Sequence, residues 1–169
     1  WDRLLAAVAA LADRDITLVI LGEGACRGAL TAQATALGLA ARVHLPGHVA
    51  DPLPAMARAQ VVALTSDFEG VPGVLREALS VGTPVVATDS SHAIAEIVDT
   101  PARGTIVVRD DGPALVAALD AWLTSGTPRP APVPQPGSDS AQRYLALFDT
   151  LVSPRPSRPR GPTGARARS

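Results

Sequence analysis

Lysine is missing from this 169-residue chain: all 15 basic residues are arginine, set against 16 acidic ones. With abundant Ala and Pro, this reads as a coding bias rather than an adaptation. The formal net charge of −1 supplies no basic face, which argues against a nucleic-acid-binding protein. Cysteine is nearly missing too. The lone Cys26 excludes an internal disulfide framework and fits a reducing compartment. No apolar run reaches the roughly 18 to 20 residues that span a bilayer, and no secretory signal is read, so a cytoplasmic location is expected.

What is present is aliphatic. Hydrophobic residues make up 47% of the chain, enough at this length for one domain with a real core. "WDRLLAAVAALAD" predicts an amphipathic helix from its first residue, with Trp1, Leu4, Leu5, Val8 and Leu11 on one stripe. Trp1 is not an initiator Met, and a domain rarely opens on a core helix, so a fragment is expected. Further strands are predicted at "ITLVILGEG" (16–24), "RVHLPG" (42–47), "VVALTS" (61–66), "PVVATD" (84–89) and "GTIVVRDD" (104–111). Helices are predicted between them at "ACRGALTAQATALG", around residues 51–59, at "PGVLREALSVG" and at "GPALVAALDAWLTS". The last carries Leu115, Leu119, Trp122 and Leu123 at helical spacing.

Strands that are continuous apolar runs imply burial on both faces. Strands alternating with helices imply right-handed crossovers and a parallel sheet. The predicted fold class is therefore α/β, a Rossmann-like doubly wound parallel sheet. Residues 1–123 form the domain, and 124–138 a Pro-rich extended linker without core residues. Residues 139–152 form one more helix, with Tyr144, Leu147, Phe148 and Leu151 on one face. Residues 153–169 form a tail with five Arg and no acid, expected to be disordered. Such a tail can rest on an anionic membrane surface; a solvated tail is the plainer alternative.

In open α/β sheets, ligands bind beyond the carboxyl ends of the strands. One such loop is unusual. In "SDFEGVPGVLREALSVGTPVVATD" (66–89), Glu69 and Glu77 flank a corner of Gly70, Pro72 and Gly73. Pro72 suits a first helical position. The amides near Gly73, Val74 and Leu75 then lack intrahelical partners, and the helix dipole adds positive charge, which makes an anion site suited to phosphate. Gly70 and Gly73 let a ligand approach the backbone. Glu77, roughly 7 Å along the helix, leans back toward the N-terminus. Its carboxylate can accept from both hydroxyls of a vicinal diol, such as that of ribose. Glu69 stands where a second polyol would lie. Polyol, diphosphate, ribose is the order of a nucleotide sugar. On spacing alone a plainer alternative stays open: a loop residue and a solvated helix residue.

The order of motifs resembles a known family. Glu69-Gly70 through Glu77-Ala78, then Gly82-Thr83-Pro84-Val85-Val86-Ala87, with "LVILGEG", "RVHLPGHVAD", "EIV" and "ALVAALDAWL", resembles the carboxyl-terminal domain of retaining glycosyltransferases of the GT-B fold, family 4 (glycosyl transferases group 1). The resemblance covers residues 1–152. It implies one half of a GT-B fold that binds a nucleotide-diphosphate sugar and transfers the sugar with retention.

By that resemblance, Glu77 holds the ribose hydroxyls and Glu69 contacts the transferred sugar, in a positioning role within the catalytic site. The stretch Gly70, Val71, Pro72, Gly73, Val74 and Leu75 binds sugar and phosphates through its amides. Gly22, Glu23 and Gly24 lie against the donor, and Gly47, His48 and Val49 border the base. No metal or other cofactor is implied; His44, His48 and His92 read as structural or loop residues. The family's diphosphate-gripping Arg and Lys, its first strand and its acceptor-binding amino-terminal domain would lie upstream, so the chain alone is expected to be inactive. Ser91, His92 and Ala93 replace glycines common in the family, which changes the local contacts to the sugar. A two-carboxylate hydrolase is set aside because the glutamates flank a phosphate-type helix end. The alternatives are half of a nucleotide-sugar epimerase and a non-catalytic nucleotide-binding module.

Overall fold

The computed structural model describes residues 1–11, 13–124, 126–137 and 139–152. The predicted arginine-rich tail lies outside them. Two units are present, Trp1–Gln135 and a second beginning at Pro136. The first runs α1 (Asp2–Ala10), β1 (Leu18–Leu21), α2 (Arg27–Ala36), β2 (Val43–Gly47), α3 (Leu53–Arg58), β3 (Val62–Leu64), α4 (Gly73–Ser80), β4 (Val85–Thr88), α5 (His92–Ile97), β5 (Gly104–Val107) and α6 (Gly112–Leu123). The second holds α7 (Ser140–Val152).

Every strand pairing is parallel, as the alternation of strands and helices requires. β1 pairs with β2, and β3, β4 and β5 pair in that order. Alternate residues of β4 point to opposite faces and sort the core into two layers. Val86 packs with Leu4, Leu5 and Val8 of α1 and with Leu115 and Leu119 of α6. Val85 and Ala87 pack with Leu75 and Leu79 of α4 and with Ile94 and Ile97 of α5. Helices thus cover both faces, which is the doubly wound arrangement. Each fully buried Leu or Ile stabilises by about 1.5–3 kcal/mol relative to exposure, so these layers hold the strand ends that carry the loops.

Several expectations are revised. The parallel strands fall into two ladders rather than one, since β1 and β3 do not pair among the described residues. Among the described residues, only β4 has strands on both sides and only β4 is buried throughout; β1, β2, β3 and β5 are partly exposed. Trp1 precedes α1 as its cap and is 45% exposed, off the buried stripe that Leu4, Leu5 and Val8 do form. Pro72 caps α4 rather than occupying its first turn. Helix α5, absent from the sequence reading, is started by Ser91, whose Oγ accepts from the Ala93 amide at 3.1 Å.

The described part of the Pro-rich stretch holds no helix or strand, and it is not free of the core. Val133 packs on the layer beneath α4, and its amide donates to the Leu79 carbonyl at 2.9 Å. Arg129 donates to the carbonyls of Ala59 and Gly82 and to the Thr83 hydroxyl. Within the second unit, Tyr144 and Phe148 stack one helical turn apart on α7, ring centroids 6.3 Å apart.

Candidate functional site

Within each parallel ladder the carboxyl strand ends share one edge, and the candidate residues fall into two corners, one at each ladder. The first joins the ends of β1 and β2. The Gly22 amide donates to the Gly47 carbonyl at 2.8 Å, which places Gly22, Glu23 and Gly24 beside Gly47, His48 and Val49. Arg27, in the first turn of α2, forks onto the Glu23 carboxylate with two bonds of 2.6 Å and donates to the Leu45 carbonyl at 2.9 Å. Those bonds hold the Glu23 carboxyl below the usual carboxylate range, with the Gly24 amide adding to the effect. Both Glu23 oxygens therefore serve to tie the two loops together. His48 is exposed and Val49 half-buried.

The second corner lies between β3 and α4. Its loop is held by the ends of β4: the Thr88 hydroxyl donates to the Ser66 carbonyl at 2.6 Å, the Glu69 amide donates to the Ser90 carbonyl at 3.2 Å, and the Ser91 hydroxyl donates to the Gly70 carbonyl at 2.9 Å. Glu69 is half-buried, while Gly70, Val71 and Gly73 are exposed. Among the described residues, the amides of Gly70, Val71, Gly73 and Val74 have no hydrogen-bond acceptor. This is the cluster of open donors expected at a helix start.

Glu77 does lean back over that start. Its Oε1 stands 3.9 Å from where a Cβ on Gly73 would be. Leu75 and Pro72 occupy different places from their neighbours. The Leu75 side chain is wholly buried and its amide donates to the Pro72 carbonyl at 3.3 Å, so Leu75 packs the corner rather than offering a group to solvent. Pro72 is buried as well. Two nearby hydroxyls, Thr65 Oγ1 and Ser90 Oγ, are buried without a partner among the described residues.

Sequence reasoning missed Arg3 and Arg109. Arg3 of α1 binds the Thr65 carbonyl and the carboxylates of Asp67 and Asp110, and Arg109 binds the Asp67 carbonyl. Their partners lie 42 or more positions away, and no local pattern points to them. A cavity of about 870 Å³ opens between α1 and α6, floored by Ala7, Leu11 and Leu115; none of the sequence-predicted site residues lines it. Among the described residues, no three His, Cys, Asp or Glu side chains gather as a metal site, and no helix is long and apolar enough to cross a membrane.

The corners can be set beside known proteins. The family model described as glycosyl transferases group 1 matches residues 1–125. The chain is 34% identical over 109 residues to the N-acetylgalactosamine-N,N'-diacetylbacillosaminyl-diphospho-undecaprenol 4-alpha-N-acetylgalactosaminyltransferase of Campylobacter jejuni, a match covering 64% of this chain and 30% of the relative. It is 32% identical over 137 residues to the 2-deoxystreptamine glucosyltransferase of Streptomyces kanamyceticus, covering 79% of this chain and 34% of the relative. The chain thus spans about a third of the length of these relatives. The structure of WaaG, a glycosyltransferase involved in lipopolysaccharide biosynthesis, matches with a TM-score of 0.67 at 23% identity, over 90% of this chain and 43% of that one. That likeness is one of fold, a half of the GT-B architecture. On the match across residues 1–125, this chain belongs to the group 1 glycosyl transferases.

Proposed function

We propose that the chain is the donor-binding half of a glycosyltransferase that moves a sugar from a nucleotide diphosphate to an acceptor with retention of configuration. The observation that carries this reading is the Glu77 carboxylate lying over the open start of α4. There, a phosphate on the amides of Gly73 and Val74 and a ribose on Glu77 would be adjacent. The helix dipole and these amides would stabilise the charge that develops on the leaving diphosphate. Glu69, anchored through its amide to the Ser90 carbonyl, would position the transferred sugar.

Gly22 to Gly24 and Gly47 to Val49 would border the donor, with Glu23 held by Arg27 as a structural tie. No metal is invoked. The acceptor would be bound by an amino-terminal domain of the same protein, and the arginine-rich tail would give peripheral contact with anionic lipid. The glycosyltransferase names of the relatives favour transfer over epimerisation.

Ligand-observed NMR of the chain with UDP, GDP and ADP, for wild type and Glu77→Ala, tests the reading. One nucleotide should bind, and the variant should weaken it by about 1–3 kcal/mol, the cost of lost hydrogen bonds to a charged group. Equal binding by both proteins would remove Glu77 from the site. No binding of any nucleotide by a folded chain would sink the donor reading for this chain.

A further inference from the structure

The loop between β3 and α4 has no ladder of its own, so its path depends on donors from elsewhere. The end of β4 and the loop after it supply one set: the Thr88 and Ser91 hydroxyls donate to the Ser66 and Gly70 carbonyls, and the Ser90 carbonyl accepts from the Glu69 amide. A second set arrives from α1 and from the loop after β5. The Arg3 guanidinium donates to the Thr65 carbonyl at 3.4 Å, to the Asp67 carboxylate, and to the Asp110 carboxylate at 3.4 Å. Arg109 donates to the Asp67 carbonyl at 2.8 Å. The carbonyls of Thr65, Ser66, Asp67 and Gly70 are thus all taken by side chains from outside the loop.

We propose that Arg3 is a positioning residue for the donor site, acting through Asp67 to fix the segment that presents Glu69 and the open amides of α4; this rests on the donor-binding reading above. Arg3 touches no ligand in this role. Its planar fork reaches three acceptors on two segments, the loop before α4 and the loop after β5, a task a lysine point charge performs poorly. Arg3 is 29% exposed, and its partners Asp67 and Asp110 are 75% and 91% exposed. Ion pairs so open to water add little to global stability. The effect of removing Arg3 therefore falls on local order in the loop, which hydrogen exchange reads residue by residue.

The experiment compares wild type, Arg3→Gln, Arg3→Lys and Asp67→Asn in the 169-residue chain by amide hydrogen exchange and by titration with UDP, GDP and ADP. In Arg3→Gln, exchange at the Glu69 amide should quicken by about tenfold while the amides of Val86 and Ala87 stay as they were. The nucleotide that binds wild type should weaken by a similar factor. Arg3→Lys should fall between the two. Asp67→Asn leaves the contacts to Thr65 and Asp110 and supplies the same comparison if Arg3→Gln does not fold.

Unchanged exchange at Glu69, or an equal rise at Glu69 and in β4, overturns the proposal. So does a loosened loop with undiminished affinity. If wild type binds none of the three nucleotides, the donor-site reading falls, while the exchange data still decide whether Arg3 fixes the loop.

Discussion

Gly73→Ala adds one methyl group at the first residue of α4, and the surroundings of that methyl are defined. A Cβ there meets only Glu77 Oε1, at 3.9 Å, an ordinary contact, and Gly73 does not adopt a positive φ. Nothing in the fold resists the change. Alanine is the better helix former by about 1 kcal/mol in a helix interior, and by less at a first turn. The variant should therefore be as stable as wild type or more stable by roughly 0.5 kcal/mol.

For a phosphate seated on the amides of Gly73 and Val74, the same methyl stands in the approach path. Losing one charge-assisted hydrogen bond costs about 1.5–3 kcal/mol, which is at least about tenfold in affinity. Urea unfolding followed by tryptophan fluorescence gives the stability, and titration with the nucleotide that binds wild type gives the affinity. A variant of wild-type stability that binds as tightly as wild type would refute the phosphate site at α4. A variant that fails to fold would refute the packing argument itself.

The opposite behaviour is expected at Gly104, where a Cβ would lie 2.1 Å from the Val85 carbonyl oxygen and 2.7 Å from Val85 Cγ2. Gly104→Ala should force β5 from β4 and cost at least about 3 kcal/mol, the upper range for overpacking; a urea midpoint close to that of wild type would contradict it. At Glu23, the fork from Arg27 lowers the carboxyl pKa below its ordinary 4.5. The tie between the two loops is therefore complete above that value and is lost as pH falls through the lower native one. An NMR titration of the Glu23 side chain should show the depressed pKa in wild type and a return toward the ordinary value in Arg27→Gln. A wild-type value at or above 4.5 would count against the tie.

How far the sequence reveals this fold depends on the range of each contact. β4 was readable because Val85, Val86 and Ala87 run apolar without a break, and its two faces proved to be the two core layers. Burial on both faces did not extend to the other strands, because burial of a strand depends on neighbours that its own residues do not record. Helix α5 went unread although Ser91, two positions before Ala93, is a legible cap; like α3 it has only six residues, too few for a periodic signal to decide. The docking of Val133 was hidden in a Pro-rich segment without periodicity. In the site, Glu77 was legible because helix geometry alone sends its carboxylate toward the N-terminus. The burial of Leu75 was legible in hindsight from its place beside Ala78 and Leu79 on the packed face. The pairing of Glu23 with Arg27 was available as an i, i+4 pair. Arg3 and Arg109 were not available at all, since their partners are set by the fold.

Among the described residues, β1, β2, β3 and β5 each have one side without a strand. Such a side presents rows of amide and carbonyl groups that another extended backbone can join. Proteins commonly blunt these margins with lysine, which this chain lacks, or with irregularities; here β1 has a shift of register between Val19 and Leu21. Four margins without a neighbouring strand, among the described residues, leave the two ladders open to added backbone. The colloidal behaviour of the polypeptide in solution then follows from whatever strand reaches those margins first.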